Sequence, residues 1–286
     1  MPASEVCAVT GATGYVGSLI VDAISPQAAV VPLVRRPGNR NDLQWELEAA
    51  TDISGALRAR GVTTLVHAAW DMRANSLDEL RGSSVAGSRR LLEMAGRAGV
   101  SRFIFISTIS AFPGCRSAYG RSKLEVEDTF NSMGGTVLRP GLVFGPHSGG
   151  IFGTIREQVR KSKLIPLIGD GRAPQYLLHE KTLMQVIARA VAGDFDGEPS
   201  PLTIAHPKAW PFRDIVSLIA EEEGRKVTFI PVPWRILYGG LRTSELMQIK
   251  LPVRSDSVIS FIYQNLKPDF SKMEKYGVEP LPFHSS

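Results

Sequence analysis

Near the start of the chain lies Thr10-Gly11-Ala12-Thr13-Gly14-Tyr15-Val16-Gly17, in which glycine recurs at every third position. A short apolar run at residues 6–9 precedes this segment, and residues 18–24 continue it with the pattern of a helix. The order predicts a strand, a tight turn and a helix whose first backbone N–H groups can face a pyrophosphate. The alternative is a glycine-rich turn without a ligand. We expect the pyrophosphate contacts to come from Gly11, Thr13, Gly14, Tyr15, Val16 and Gly17.

The composition is that of an ordinary globular chain. Hydrophobic residues make up 43% of its 286 positions, and the formal net charge of +5 is mild and scattered, so nucleic-acid binding is not expected. Cys7 and Cys115 are the only cysteines, which indicates a reducing compartment rather than a disulfide framework. No apolar stretch of about 18 residues and no signal-peptide pattern is visible. We therefore expect a cytoplasmic protein without a membrane span, and no metal site.

Strands and helices alternate in the first half of the sequence, which predicts an α/β fold with a doubly wound parallel sheet. Strands are expected at residues 6–9, 30–34, 45–48, 64–69, 103–106 and 136–139. Helices are expected at residues 85–98, where Gly99 ends the helix, and at 119–133. The pattern changes after Pro146, where glycine- and proline-rich pieces separate helical segments. We expect a dinucleotide-binding domain at 1–146 and a smaller, mainly helical substrate lobe at 147–286, with a strand near 201–205 returning to the main sheet.

Tyr119 and Lys123 lie four positions apart and so share one face of the second predicted helix. A tyrosine with an ordinary pKa of about 10 exchanges protons near neutrality only if that pKa is lowered, and a neighbouring ammonium lowers it. Hydroxyl side chains follow the apolar run at 103–106, where they can hold a substrate oxygen. Taken alone, the pair has the alternative of a surface contact.

These motifs together resemble the short-chain dehydrogenases/reductases, and TGATGYVG at residues 10–17 resembles their extended branch of sugar-nucleotide epimerases, dehydratases and ketoreductases. The resemblance implies a Rossmann-type fold and carries the catalytic tyrosine and lysine onto Tyr119 and Lys123. Counting back from Phe112 assigns the catalytic hydroxyl to Thr108, with Ser107 and Ser110 as alternatives. The segment at 139–146 resembles the family's RPGxVYGP, which lines the nicotinamide. Further cofactor contacts are expected from Ala68, Ala69, Pro140, Gly141 and Leu142.

The end of the second strand bears on the choice of cofactor. An acidic residue there accepts from the adenosine ribose, but this chain has Arg35 and Arg36, which suit a 2′-phosphate. We therefore expect NADP, with NAD as the alternative; a solvated basic loop is the other interpretation of the two arginines. The acidic contact to the adenine is left open between Glu48 and Asp52.

The chain departs from the family pattern at three places. The asparagine of the helix before the catalytic strand is replaced by Ser84. Gln175 stands where nucleotide-sugar enzymes have an arginine for the diphosphate, although Arg172 is close in sequence. After His179, which we interpret as a packing or hydrogen-bonding residue, Glu180-Lys181-Thr182 replaces the usual V-D-D.

The resemblance implies an NADP-dependent oxidoreductase acting at a carbonyl or alcohol carbon of a sugar or nucleotide sugar, as a 4-ketoreductase or an epimerase. A dehydratase is disfavoured because Ile109-Ser110 stands in place of its Asp-Glu pair. The alternatives are a reductase of a non-sugar carbonyl, favoured by Gln175, and a non-catalytic dinucleotide sensor. A homodimer is expected from the family, through Leu124, Val126 and Phe130 unless these face the chain's own sheet.

Overall fold

The computed structural model describes residues 5–147, 149–199, 201–249, 251 and 253–283. In these residues the strands are β1 (Val6–Thr10), β2 (Ala29–Val34), β3 (Leu43–Gln44), β4 (Thr64–His67), β5 (Arg102–Ile106), β6 (Thr136–Pro140), β7 (Leu142–Phe144), β8 (Leu164–Ile168), β9 (Pro174–His179), β10 (Leu202–Ile204), β11 (Ala209–Pro211) and β12 (Thr228–Val232). The helices are α1 (Tyr15–Ile24), α2 (Ser54–Ala59), α3 (Leu77–Leu80), α4 (Ala86–Ala98), α5 (Ala118–Ser132), α6 (Gly150–Lys161), α7 (Glu180–Ala192), α8 (Phe212–Glu222), α9 (Trp234–Leu246), α10 (Ser255–Ile262) and α11 (Ser271–Lys275). A π-helical turn, Arg81–Val85, leads into α4.

The main sheet is parallel and has the order β10-β6-β5-β4-β1-β2-β3. Alternate residues of its strands enter two different hydrophobic clusters: Ile104 of β5 lies in one, and Phe103 and Phe105 lie in the other. Both faces are therefore covered, as in a doubly wound sheet. The predicted fold class is confirmed, and so is the returning strand, because β10 pairs with β6.

The third strand lies earlier than predicted. It is the two-residue β3, Leu43–Gln44, and not a strand at 45–48. The backbone N–H of Trp45 still donates to the Val34 carbonyl, but the Trp45 side chain is buried in the core and the chain then leaves the sheet. The sequence prediction was wrong by about two residues because a large apolar side chain at a sheet edge has the same pattern as a strand residue.

The C-terminal part contains helices together with two small sheets, β11-β9-β7 and β12-β8. Its third hydrophobic cluster joins Phe152 and Val159 of α6 to Ile215 and Ile219 of α8. Helix α7 instead packs against α1, on the main sheet. The residues after 147 are thus helical in their larger elements, and their strand β9 pairs with β7, which precedes them.

Two of the three residues expected at a dimer face are fully buried within this chain. Val126 and Phe130 of α5 belong to the cluster under the main sheet, together with Val137 of β6. They are therefore unavailable to a second copy, and for these two residues the stated alternative holds, that they face the chain's own sheet. Leu124 is half-buried.

None of the helices in the described ranges combines the length and apolar character needed to cross a bilayer.

Candidate active site

The turn between β1 and α1 has the shape that its glycines predict. Gly11 has φ +69°, and a Cβ on Gly17 would lie 1.8 Å from the Gly11 carbonyl oxygen, so no larger residue fits there. Gly14 caps α1 without a side-chain hydrogen bond, and the first turn of the helix carries no acidic residue. The helix N-terminus is therefore free to receive an anionic group on backbone N–H donors, which fits the pyrophosphate of a dinucleotide.

The Thr10 hydroxyl connects this turn to the end of β4 through hydrogen bonds. Its hydroxyl oxygen accepts from the backbone N–H groups of Ala68 at 3.0 Å and Ala69 at 3.1 Å, and lies 2.8 Å from His67 Nδ1. The backbone of Ala69 also lies 3.0 Å from the position of a Cβ on Gly11. Ala68 and Ala69, both predicted cofactor contacts, are thus brought beside the glycine-rich turn.

The buried imidazole of His67 continues this network. Its Nε2 lies 2.8 Å from the hydroxyl of Ser88, which itself donates to the carbonyl of Ser84 at 2.6 Å. Ser88 must therefore accept from Nε2–H, so Nδ1 accepts the Thr10 proton and the ring is satisfied while neutral. Burial, aided by the charge of Lys123, lowers the pKa of His67 to about 3. Sequence analysis missed this histidine, because its pattern is that of a strand residue.

The two predicted phosphate-binding arginines follow β2, on the same side of the sheet as the glycine-rich turn that follows β1. Leu33 of β2 pairs with Thr10 of β1, which places the exposed Arg35 and Arg36 after the strand end that neighbours the glycine-rich turn. Their exposure leaves both guanidiniums accessible to a ligand.

The two candidates for an adenine-contacting acid already have partners. Glu48 forms an ion pair with Arg73 at 3.3 Å. Asp52 accepts from the backbone N–H of Ser54 at 2.8 Å and pairs with Arg97 at 3.0 Å. These contacts hold the pKa of Asp52 below its ordinary value, chiefly through the Ser54 backbone hydrogen bond.

Helix α5 begins at the site, and its first turn is fully hydrogen-bonded. The Ser117 hydroxyl accepts from the Gly120 N–H at 3.1 Å. The carboxylate of Asp256, at the start of α10, accepts from the N–H groups of Ala118 at 2.7 Å and Tyr119 at 3.0 Å. The C-terminal lobe therefore supplies the cap that fixes the backbone of Tyr119.

Tyr119 is half-buried and lies beside Thr108, at the cavity described below. Burial raises the pKa of Tyr119 to about 12, while the Arg254 charge and the Thr108 hydrogen bond oppose that rise. The sequence predicts that Lys123 lowers the pKa of the tyrosine. In the structure, the groups that lower it are Arg254 and Thr108.

Lys123 lies beneath Tyr119 and is only 2% exposed. Its Nζ donates to the Ile106 carbonyl at 2.8 Å and lies 4.0 Å from the centre of the Trp70 ring and 5.8 Å from that of Tyr119. Burial lowers the pKa of Lys123 to about 7, although Glu127 acts in the opposite direction. The ammonium is thus held by a carbonyl and an aromatic face, one helical turn from the tyrosine.

The hydroxyl groups that follow β5 have different partners. Ser107 is buried and donates to Glu127, whose carboxylate also binds Arg139 at 2.9 and 2.5 Å. Ser107 is therefore hydrogen-bonded to the carboxylate of the Glu127–Arg139 ion pair. Thr108 and Ser110 both line the cavity described next, and the Ser110 N–H donates to the Thr108 hydroxyl at 3.2 Å.

A cavity of about 300 Å³ lies in front of Tyr119. Its walls include the predicted cofactor contacts Gly141 and Leu142, while Pro140 precedes them in β6. The opposite wall comes from α10 and the residues around it, including Arg254, Asp256 and Phe261. Sequence analysis missed Arg254 and Asp256, which lie far from Tyr119 along the chain.

The place of the family's diphosphate arginine is occupied by an uncharged group. Gln175 lines the cavity, and its Nε2 donates to the Pro174 carbonyl at 2.9 Å. Arg172, which is close in sequence, is 84% exposed and pairs with Asp170 outside the cavity lining. Arg254 is the arginine that reaches the cavity; it donates to the Ala74 carbonyl at 2.6 Å.

The remaining departures from the family pattern have structural explanations. Ser84 lies in the π-helical turn, and its hydroxyl accepts from the Asp71 N–H at 2.9 Å. His179 caps α7 by accepting from the Lys181 N–H at 3.0 Å, which confirms its hydrogen-bonding role. The buried Glu180 accepts from the Tyr15 hydroxyl at 3.3 Å and so connects α7 to the glycine-rich turn.

Comparison with known proteins agrees with this geometry. A profile of the NAD dependent epimerase/dehydratase family matches residues 7–201. A UDP-glucose 4-epimerase from Vibrio cholerae is 28% identical over 216 residues, which cover 64% of this chain and 65% of that protein. A ceramide reductase from Caulobacter vibrioides is 31% identical over 178 residues, which cover 59% and 55%. The matched part of this chain thus spans less than two thirds of each curated relative.

Solved structures share the fold at lower identity. The UDP-glucose 4-epimerase of Thermotoga maritima, solved with UDP-glucose, superposes with a TM-score of 0.74 at 19% identity, over 96% of this chain and 94% of that one. The UDP-glucose 4-epimerase of Thermus thermophilus, solved with NAD, gives 0.66 at 20% identity, over 80% and 86%. With two thirds of its length matched by one family profile, and with that family's fold, this chain belongs to the NAD-dependent epimerase/dehydratase family of enzymes.

Proposed function

We propose that this enzyme is an NADP-dependent oxidoreductase that acts at a carbonyl or alcohol carbon of a nucleotide-linked sugar, as a 4-ketoreductase or an epimerase. The observation that carries the proposal is that Tyr119 and Thr108 line one cavity, with Lys123 one turn further along the helix of the tyrosine. This arrangement can hold a substrate oxygen and exchange a proton with it.

The residues that would hold the dinucleotide are those of the glycine-rich turn, Gly11 to Gly17, where the start of α1 packs directly on the backbone of the turn and has no side-chain cap. Ala68 and Ala69 border this turn, and Gly141 and Leu142 border the cavity. Arg35 and Arg36 are the partners for a 2′-phosphate, because guanidiniums bind phosphate bidentately and retain their charge. When bound, the nicotinamide supplies hydride transfer at its C4.

Side chains of the protein itself donate the proton and orient the substrate oxygen. In the reducing direction, the Tyr119 hydroxyl donates its proton to the carbonyl oxygen as the carbon receives a hydride, and the product is an alcohol. Thr108 donates a hydrogen bond to the same oxygen and orients it. Arg254 and Lys123 place positive charge near the tyrosinate that remains, and Arg254 lowers the pKa of Tyr119.

Two features bear on the substrate. Arg254 is a cation at the cavity with a carbonyl as its hydrogen-bond partner, so it can pair with an anionic group such as the diphosphate of a nucleotide sugar. Fold relatives that bind UDP-glucose support this assignment.

A second candidate, the reduction of a non-sugar carbonyl, is favoured by a specific observation. Gln175 leaves its part of the cavity uncharged, and Met72, Leu142, Ile151 and Phe261 add apolar walls. A cavity of this kind can accept an aromatic or aliphatic ketone. The similarity to a ceramide reductase supports the same candidate.

The test is a fluorescence titration of the purified protein with NADPH and NADH, followed by turnover assays with UDP-glucose, a 4-keto nucleotide sugar and aromatic ketones. We expect NADPH to bind about tenfold tighter or more, roughly 1.4 kcal/mol. Tyr119→Phe should bind the cofactor normally and lose turnover by at least about a hundredfold. Unchanged turnover in Tyr119→Phe overturns the mechanism. Cofactor binding without turnover of any substrate indicates a sensor instead.

A further inference from the structure

Trp70 lies against Tyr119 and Lys123, the two residues of α5 that the proposed mechanism uses. It directly follows Ala69, one of the predicted cofactor contacts after β4. The centre of its ring lies 4.0 Å from Lys123 Nζ and 6.1 Å from the centre of the Tyr119 ring, to which it is nearly perpendicular. Neither the proton transfer nor the cofactor contacts involve Trp70, although its ring is next to both side chains.

Backbone hydrogen bonds on both sides fix the position of Trp70. The Ala69 N–H donates to the Thr10 hydroxyl at 3.1 Å. The Asp71 N–H donates to the Ser84 hydroxyl at 2.9 Å. The indole Nε1 of Trp70 is buried and has no hydrogen-bond partner among the residues that the structure describes. What Trp70 contributes at this place is therefore its ring, and not its N–H group.

The Lys123 ammonium is surrounded by a carbonyl and two aromatic faces. Its Nζ donates to the Ile106 carbonyl at 2.8 Å and lies 4.6 Å from the centre of the Phe105 ring, in addition to its contact with Trp70. An aromatic face attracts a cation, most strongly when the ring is tryptophan and water is excluded. Lys123 is nearly inaccessible to solvent. The two rings therefore stabilise the charged form where bulk water does not.

The other charges near Lys123 compensate its burial only in part. The elements around it carry these titratable and charged side chains: Tyr119 and Glu127 on α5, His67 on β4, Asp71 after β4, Arg139 on β6 and Arg254 before α10. Glu127 favours the ammonium, but it also pairs with Arg139 at 2.5 Å. Burial nevertheless lowers the pKa of Lys123 to about 7. Near neutral pH, only part of the protein therefore carries the ammonium.

We propose that Trp70 is a positioning residue that keeps the Lys123 side chain as an ammonium beneath Tyr119. Without the ring, the charged form loses an aromatic face while the neutral amine loses little, so the balance moves toward the amine. A neutral amine places no charge beside the tyrosinate that proton transfer leaves. Trp70 thus extends the pH range of turnover upward. This inference rests on the proposed function, in which Lys123 acts as a cation.

The first experiment compares the pH profiles of kcat/KM for the parent chain, Trp70→Leu and Trp70→Phe, with the substrate that the turnover assays identify. In Trp70→Leu, the limb at which Lys123 loses its proton should move down by about one pH unit. Turnover should then fall roughly fivefold to tenfold at about pH 7.5 and less than about twofold at about pH 5.5. Trp70→Phe retains an aromatic face and should keep the limb within about half a pH unit of the parent limb.

Urea unfolding between about pH 6 and pH 9 measures the same protonation without any substrate. The lysine titrates at about 10.5 in the unfolded chain and at about 7 in the folded one. Between these values the unfolded chain binds one more proton, so the free energy of unfolding rises with pH. Lys123→Met lacks this contribution and supplies the baseline. Relative to it, the rise should begin about one pH unit lower in Trp70→Leu than in the parent chain or in Trp70→Phe.

Trp234→Leu is the matched control. Trp234 is also half-buried, and the centre of its ring lies 5.5 Å from the guanidinium carbon of Arg235. This control should follow the parent chain in both series. Trp70→Met, a second variant without a ring, gives the same comparison if Trp70→Leu does not fold.

The two series separate failure of this inference from failure of the proposed function. Parent-like behaviour of Trp70→Leu in the unfolding series overturns the inference, and so does an equal shift in Trp70→Phe or in Trp234→Leu. If no substrate is turned over, the proposed function fails, and the unfolding series still decides whether Trp70 keeps Lys123 charged.

Discussion

Asp256 accepts a hydrogen bond of 3.0 Å from the backbone N–H of Tyr119, although the two residues are 137 positions apart in the sequence. The same carboxylate accepts from Ala118 at 2.7 Å. Together with the Ser117 cap, this contact satisfies the free N–H groups at the start of α5. The lobe that forms one wall of the cavity thereby holds the helix that carries the proposed catalytic tyrosine.

Replacing Asp256 should impair turnover more than binding. Asp256→Ala leaves the N–H groups of Ala118 and Tyr119 without acceptors, so the first turn of α5 can shift. Since a displacement of about 1 Å can cost a hundredfold, we expect kcat to fall by roughly tenfold to a hundredfold while KM changes little. Stability should fall by about 1 kcal/mol, the usual cost of a lost cap. Steady-state kinetics and urea unfolding measure the two effects.

The controls separate positioning from a general loss of capping. Asp256→Asn keeps one carbonyl oxygen and should give an intermediate kcat. Asp269→Ala removes a cap of the same kind, because Asp269 accepts from the Ser271 N–H at 2.9 Å before α11. If Asp269→Ala lowers kcat as much as Asp256→Ala does, the lobe contact has no special role at Tyr119.

The three hydroxyls after β5 should respond differently to removal. Thr108 lines the cavity with Tyr119, so Thr108→Val should lower kcat by about a hundredfold through loss of its proposed bond to the substrate oxygen. Ser110→Ala should have a smaller effect on kcat. Ser107→Ala should instead lower the free energy of unfolding, because it leaves the buried Glu127 short of a donor. A larger kcat loss in Ser110→Ala than in Thr108→Val would transfer the role to Ser110.

The pH dependence of turnover should depend on Arg254. The Arg254 charge lowers the pKa of Tyr119, so its removal in Arg254→Met makes the phenolate less favourable and raises that pKa. The limb of the pH–rate profile governed by Tyr119 should therefore move to higher pH. Arg254→Lys retains a positive charge and should move the limb less. Identical profiles for the parent and Arg254→Met would show that this charge does not act on the tyrosine.

Cofactor preference should depend on the arginines after β2. The double variant R35A/R36A should lose about tenfold or more in NADPH affinity, roughly 1.4 kcal/mol, with little change for NADH. Arg40→Ala removes a nearby exposed arginine and serves as the control. Equal weakening of both cofactors would assign the two arginines to a group that NADPH and NADH share, and no weakening would mean that they form a solvated loop.

The sequence predicted the local placement of those candidate site residues that lie together on one strand, turn or helix, while their roles stay predictions. Gly11, Gly14 and Gly17 lie in a single turn, and Tyr119 and Lys123 lie one helical turn apart, so local spacing was sufficient. Thr108 was chosen among the hydroxyls after β5 by the family resemblance, and its role stays a prediction. Periodicity likewise located the main strands, because both faces of the sheet are covered and the strands are continuously apolar.

Contacts between distant segments could not be predicted in this way. Arg254 and Asp256 come to Tyr119 through the packing of α10 on α5, which no local pattern encodes. The partner of the Ser107 hydroxyl, Glu127, lies on the opposite side of a β–α connection. The sequence left open whether Val126 and Phe130 face a second copy or the chain's own sheet for a related reason, since a helix pattern shows which side is apolar but not which surface covers it.

Stability should fall in acid because of the buried His67. The unfolded histidine titrates at about 6.5, whereas burial lowers the pKa of the folded one to about 3. Between these values the unfolded chain binds one more proton, so the free energy of unfolding decreases by about 1.4 kcal/mol for each unit by which pH falls. The contribution is complete above pH 6.5 and is lost progressively as pH approaches 3. Urea unfolding at a series of pH values measures this slope.

His67→Gln should be less stable near neutral pH, because glutamine cannot reproduce both hydrogen bonds, to Thr10 and Ser88. Its free energy of unfolding should nevertheless depend less on pH. Between pH 3 and pH 6.5 the unfolding of this variant should take up about one proton fewer than that of the parent chain, because no buried imidazole remains to be charged. His147→Gln changes a histidine whose side chain is 80% exposed and should retain the parent slope. If His67→Gln keeps the full acid sensitivity of the parent, the neutral imidazole is not its source, and the network from Thr10 to Ser84 must be satisfied with the ring charged.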